Sequence, residues 1–196
     1  MLRLFSPAKI NCFFHIIGKR NDGFHEIASL FRTISLGDVL SFQKGVRDQV
    51  TSSIPTLPVD KTNLVVQAVE LFRAKTGIQD TYKIHIEKNI PMQAGLGGGS
   101  SNASTTLWAL NQLNGLPASE DELQEWSSEI GSDQAFFFSE GCAYCTGRGE
   151  RIEAVLPPSS CPPSFTLIKP TEGLSTPLVF QELKAPQKGP LLPYSY

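Results

Sequence analysis

The stretch IPMQAGLGGGSSNASTTLWALNQLNG, residues 90–115, decides how the rest of the chain is read. Four glycines fall within five positions (Gly95, Gly97, Gly98 and Gly99), and a helical pattern follows at once. Each glycine costs backbone entropy on folding, so such a cluster needs a cause. Between a strand and a helix it leaves bare backbone N–H groups beside a helix N-terminus, which suits an anion. Two well-known phosphate loops fail to match. A dinucleotide fingerprint starting at Gly95 would need glycine where Ser100 stands, and a Walker A loop needs a lysine that is absent between Pro91 and Gly115. A tight turn without a ligand is the plain alternative. Three consecutive glycines followed by Ser100 and Ser101 at a helix start weigh against it.

The flanks of the loop are regular. In TYKIHIEKNI, Tyr82, Ile84 and Ile86 alternate with Lys83, His85 and Glu87, which predicts a strand. Upstream, apolar residues at 64, 65, 68, 69 and 72 predict a helix that Asp60 or Thr62 caps and Gly77 ends. Downstream, Ala103, Leu107, Leu110 and Leu113 share one helical face, and Asn114-Gly115 closes that helix. Ser119 and Glu122 form a capping box for another, continued by Leu123, Trp126 and Ile130 to Gly131. Residues 2–17 read as a strand, GKRNDGFHEI as a turn tightest at Asp22-Gly23, and 27–45 as one or two strands broken at Leu36-Gly37-Asp38. GCAYCTGRGE and SFTLIKP are expected to add two more strands. The order is that of an α+β layered domain. There is no internal repeat, and the proline-rich tail KAPQKGPLLPYSY reads as neither helix nor central strand.

Composition narrows the function. The chain has 196 residues, 40% hydrophobic and 18% charged, ordinary values for a globular domain. A formal net charge of -2 argues against a nucleic-acid binder held by bulk electrostatics. No apolar run is long enough to span a bilayer, so no membrane partner is expected. The chain passes from Met1 into RLFSPAKINCFFHII without a signal-peptide or transit-peptide pattern, and a cytoplasmic location is expected. Cys142 and Cys145 form a C-x-x-C, but strand spacing of three puts them on opposite faces, and no second pair completes a zinc site.

A phosphate loop without its own lysine must borrow positive charge. Lys9 in SPAKIN, Lys88 and Arg148 are the candidates. Phosphoryl transfer also needs an acidic group at the acceptor hydroxyl. Asp133 follows Gly131 and precedes AFFF, where helix is expected to turn to strand. Taken singly, Lys9 reads equally well as a surface lysine and Asp133 as a turn residue.

Three segments together resemble the GHMP kinases, the superfamily of galactokinase and of homoserine, mevalonate and phosphomevalonate kinases: SPAKIN, P-x-x-x-GLGGGSSNA and IGSDQAFFF. DGFHEI, GLGGGSSNA and TGRGE resemble the branch that phosphorylates 4-diphosphocytidyl-2-C-methyl-D-erythritol in non-mevalonate isoprenoid synthesis. The likeness runs over about residues 3–180. It implies a GHMP kinase N-terminal domain of the ribosomal protein S5 domain 2-like type over 1–157. The start of a C-terminal α+β domain is expected over 158–196, because the chain ends at Tyr196, before the family's third glycine-rich motif.

The resemblance further implies ATP and Mg2+, and a small cytidine-diphosphate-linked substrate. Lys9 and Asp133 correspond to the catalytic pair. Asn63, Lys88, Pro91, Gly95, Leu96, Gly97, Gly98, Gly99, Ser100 and Ser101 correspond to the ATP site, with Ser101, and less readily Ser100, offering a hydroxyl to the metal. His25 corresponds to a residue that hydrogen-bonds the cytosine, and Phe24 and Phe180 to aromatic residues that sandwich it. Asn11 and Thr176 correspond to the methylerythritol end. Position 24 is usually Tyr in this branch, and Phe keeps the stacking face without the hydroxyl. A GHMP kinase for another alcohol and a non-catalytic nucleotide-binding fragment are the alternatives, the latter weakened by retention of both Lys9 and Asp133.

Overall fold

The computed structural model describes residues 1–157, 162 and 164–170. Two long strands open the chain. β1 (Leu2–Lys19) and β2 (His25–Lys44) form an antiparallel ribbon, and the turn between them is closed by the Arg20 N–H donating to the Phe24 carbonyl at 2.8 Å. Gly23 takes φ +86° there, a left-handed conformation that glycine adopts without a Cβ penalty. β3 (Gln49–Ser52), α1 (Leu64–Thr76), β4 (Tyr82–Glu87), α2 (Gly98–Leu113) and α3 (Glu120–Ser127) follow. A 3₁₀ turn at Ala135–Phe138 leads to β5 (Cys142–Gly147) and β6 (Arg151–Ala154).

β2 is the spine of the sheet. One edge carries β1 along its length, while the other pairs with β5 over residues 27–32 and with β4 over 39–44. The sheet order is β3-β4-β2-β5-β6 with β1 on β2, and β3 runs parallel to β4. Helices and sheet enclose a core of Leu40, Phe42, Ile84 and Ile86 packed with Val65, Val69, Phe72, Leu107, Leu110 and Leu123. The result is the α+β architecture expected from the residue pattern. α2 departs from the simple amphipathic pattern, since Ser101, Asn102, Ser104, Thr106 and Asn111 are buried along with its apolar face.

Several local expectations are corrected. β2 is not broken at Leu36-Gly37-Asp38; the irregularity is a register shift, with Pro7 opposite Gly37 but Lys9 opposite Thr33, where β2 exchanges β5 for β4. α1 is capped by Asn63, whose side chain accepts from the Val65 N–H at 2.9 Å, because Asp60 is occupied with the Thr62 amide. The capping box of Ser119 and Glu122 is present in full, yet α3 stops at Ser127. AFFF forms the 3₁₀ turn, burying Ala135 and Phe136. Residues 164–170 carry no strand, and the strand after β5 is β6. Cys142 and Cys145 are both buried, Cys145 in a cluster with Phe31, Phe136 and Ala143. Among the described residues no helix is long and apolar enough to cross a membrane. Most of the expected second domain, 158–196, lies outside the described residues.

Candidate active site

The glycine loop is anchored at Ile90, which is buried, and runs into α2. Gly95 and Gly97 adopt φ +70° and +68°. At Gly97 there is a second reason for glycine: a Cβ there would stand 2.9 Å from Lys9 Cγ and 3.0 Å from Phe137 Cζ. The loop therefore lies directly on the stem of Lys9, and the Lys9 N–H donates to the Leu96 carbonyl at 2.9 Å. α2 begins without a side-chain cap, unlike α1 and α3, and without the acidic first turn that α3 carries. Its first N–H groups are left for water or a ligand, and the helix dipole favours an anion there.

Beneath the loop, Lys9 Nζ lies 3.3 Å from Asp133 Oδ2. The same ammonium donates to Asn11 Oδ1 at 2.8 Å and sits 4.0 Å from the centroid of the Phe31 ring. Its side chain is 6% exposed against 32% for Asp133, so the cation is held from three sides while the carboxylate keeps an open face. The segment carrying Asp133 is tied to α2 through Ser104 Oγ, which donates to the Gln134 carbonyl at 2.8 Å. On its other side stands Gly149, where a Cβ would come within 3.4 Å of Asp133 Oδ1. Behind the pair, burial and then the charge of Asp133 push the Cys145 thiol up to about 12, so it stays protonated and inert. An open carboxylate beside a fixed ammonium can orient an alcohol hydroxyl, accept its proton and offset charge on a transferring phosphoryl group.

A second feature lies at the β1–β2 turn. Phe24 is 51% exposed, and the Arg148 guanidinium lies 4.9 Å from its ring centroid. His25, half-buried, follows as the first residue of β2. An open aromatic face beside a cation suits a planar, anion-bearing group such as a nucleotide.

Comparison with known proteins agrees with this geometry. The family described as GHMP kinases N terminal domain matches residues 63–141. A solved 4-(cytidine 5'-diphospho)-2C-methyl-D-erythritol kinase superposes with a TM-score of 0.77 at 32% identity, over 98% of this chain and 68% of that one. The chain belongs to the 4-diphosphocytidyl-2-C-methyl-D-erythritol kinase family. The curated kinase of that name from Protochlamydia amoebophila is 55% identical over 186 residues, covering 95% of this chain and 64% of the relative. The chloroplastic one from Arabidopsis thaliana is 51% identical over 195 residues, covering 98% and 51%. The chain thus spans between half and two thirds of the length of these two family members.

Set against what membership of the family led us to expect, the structure gathers Lys9, Asn11, Asp133 and the loop from Gly95 to Ser100 into one site, with Pro91 exposed at the loop's start. Three residues are placed differently. Lys88 turns inward, its ammonium 2.8 Å from Asp38 Oδ2 with both side chains at most 5% exposed, so its charge is already balanced. Ser101 is fully buried, its hydroxyl hydrogen-bonded with Ser6 Oγ at 2.8 Å on β1, so the assignment of this hydroxyl to a metal is corrected. Ser100, half-buried, is the hydroxyl left nearer the surface. Asn63 is committed to capping α1. Thr176 and Phe180 lie outside the described residues.

Sequence reasoning missed Asp38. The only hint was a carboxylate at the point where strand alternation falters, a pattern that also fits an ordinary turn.

Proposed function

We propose that the chain acts as a kinase that moves the γ-phosphoryl group of ATP to a hydroxyl of 4-diphosphocytidyl-2-C-methyl-D-erythritol, in non-mevalonate isoprenoid synthesis. The observation that carries this reading is the 3.3 Å contact of Lys9 with Asp133 under an uncapped glycine loop. The loop amides and the α2 N-terminus receive the phosphates. Asp133 orients the acceptor hydroxyl; its oxygen attacks the γ-phosphorus, the bond to the bridging oxygen breaks, ADP leaves, and the hydroxyl proton passes to Asp133. Lys9 offsets charge on the transferring group, and Asn11 holds the ammonium in place. Phe24 stacks the cytosine, His25 meets its edge, and Arg148 stands near the diphosphate.

The donor set fits a metal brought in on the nucleotide. Among the described residues no cluster of three or more His, Cys, Asp or Glu builds a metal cage, and Mg2+ normally keeps waters and substrate phosphates as ligands. Ser100 would hold it, and the ion would supply charge neutralisation on the phosphates. We assign the activity to the cytoplasm, where reducing conditions suit Cys145 as a buried thiol. The partners are small molecules, with neither nucleic acid nor membrane among them.

The test is ADP release with ATP, Mg2+ and the cytidine-linked alcohol. Release that requires this alcohol and is lost in Asp133→Asn is expected. Release only with an unrelated alcohol would point to another GHMP kinase, and ATP binding without any turnover to a nucleotide-binding role.

A further inference from the structure

A carboxylate with no solvent exposure stands under the glycine loop. Asp38 lies where β2 leaves β5 for β4. Its Oδ1 accepts from the N–H groups of Asn89 at 2.7 Å and Ile90 at 2.8 Å. Its Oδ2 accepts from Lys88 Nζ at 2.8 Å and from Asn102 Nδ2 at 2.9 Å. A buried carboxylate is tolerated only with such compensation, and here each oxygen receives two donors.

The origin of these donors is what matters. Residues 88–90 form the stem leading into the loop, and Asn102 sits at the start of the helix leading out of it. One side chain therefore fixes the separation of both stems. Asn102 extends the link, since its Oδ1 accepts from Ser6 Oγ at 2.8 Å, on the strand that carries Lys9.

We infer that Asp38 is the positioning residue of the nucleotide loop: it sets the aim of the loop amides and the α2 N-terminus and keeps them in register with Lys9. An asparagine at 38 would keep one acceptor but turn an NH₂ group toward either Lys88 and Asn102 or the two amides. Either orientation loses bonds to the incoming stem, and the first also loses the bond to Asn102. The nucleotide half of this inference rests on the proposed kinase reading, whereas the loop half does not.

Two variants and two readouts test it. Asp38→Asn removes the charge, and Asn102→Leu, which keeps the branching at Cγ, cuts the link to the outgoing stem together with its extension to Ser6. Hydrogen exchange of the whole chain should quicken about tenfold or more at residues 88–102 alone in both variants, the loss of a hydrogen bond to a charged group being worth at least that factor. ATP, added with Mg2+, should bind about tenfold more weakly on the same grounds, while cytidine diphosphate affinity stays within about twofold. Unchanged exchange in the two folded variants overturns the inference. So does exchange that rises evenly across the chain, or ATP and cytidine diphosphate affinities that fall together. A wild-type chain that binds no ATP strikes at the kinase reading instead, and loop exchange then decides the role of Asp38 by itself.

Discussion

Lys9 on β1 and Asp133 beyond α3 are separated by most of the domain, yet their charged atoms meet at 3.3 Å. The meeting is arranged by the glycine loop. Leu96 holds the Lys9 backbone from above, and Ser104, one turn after Ser100, holds the segment of Asp133. The glycine loop and the two charged groups are thus parts of one hydrogen-bonded frame.

Asp133→Asn is nearly isosteric and removes the proton acceptor. It should lower kcat by about 10²–10⁴ while leaving ATP and substrate affinity largely intact. Lys9→Ala should cost a similar factor, and the double variant less than the product of the two, since the residues act as a unit. Steady-state kinetics on the four proteins checks this; near-normal kcat in Asp133→Asn would remove the base assignment.

The loop glycines should separate into two kinds. A Cβ on Gly98 would point inward, 3.0 Å from Ile90 Cγ2 and 3.1 Å from Lys88 Nζ, so Gly98→Val is expected to lower the melting temperature as well as ATP affinity. A Cβ on Gly95 meets nothing within 4 Å. Gly95→Ala carries only the left-handed backbone cost of about 1–2 kcal/mol, and should lower ATP affinity in a chain that still melts cooperatively. Calorimetric titration and thermal melts together decide the matter; a Gly98→Val protein as stable as the wild type would contradict the inward placement.

Phe24→Ala should raise KM for the cytidine-linked substrate about 5- to 150-fold, the equivalent of the roughly 1–3 kcal/mol that stacking on a base contributes. ATP affinity should be unchanged. If cytidine nucleotides fail to compete with the substrate in the wild-type chain, the base is not read at Phe24.

Cys145 offers a pH signature. Its folded thiol is raised to about 12 from the ordinary 9.0, so the neutral form is favoured in the folded chain. Its contribution to stability is complete below pH 9 and is lost as pH rises from there toward 12. Denaturant midpoints should therefore fall over that window, and less so in Cys145→Ala. Iodoacetamide should label this position only on unfolding; rapid labelling at pH 8 in the folded chain would contradict the burial.

Local chemistry was legible from residue order. The alternation in Tyr82–Glu87, the capping box at Ser119–Glu122 and the closing Gly77 each depend on neighbours within one turn or one pleat, and each stands as expected. The glycine loop was legible too, because few other uses explain so many glycines ahead of a helix. What the tertiary structure decided were the pairings between distant segments. Sequence spacing does not say which lysine turns to solvent and which to a buried carboxylate, so Lys88 is one of three candidate charges in the sequence and the partner of Asp38 in the fold. Nor does it say which of two adjacent serines faces the sheet: a helix turns about 100° per residue, and only the approach of Ser6 draws Ser101 inward and leaves Ser100 outside. At Gly98 the fold adds a demand that spacing does not show, since a Cβ there would press on Ile90 and Lys88. Periodicity and capping are short-range consequences of backbone geometry, whereas the direction of a buried charge depends on which partner the fold brings within about 3 Å, the hydrogen-bonding distance.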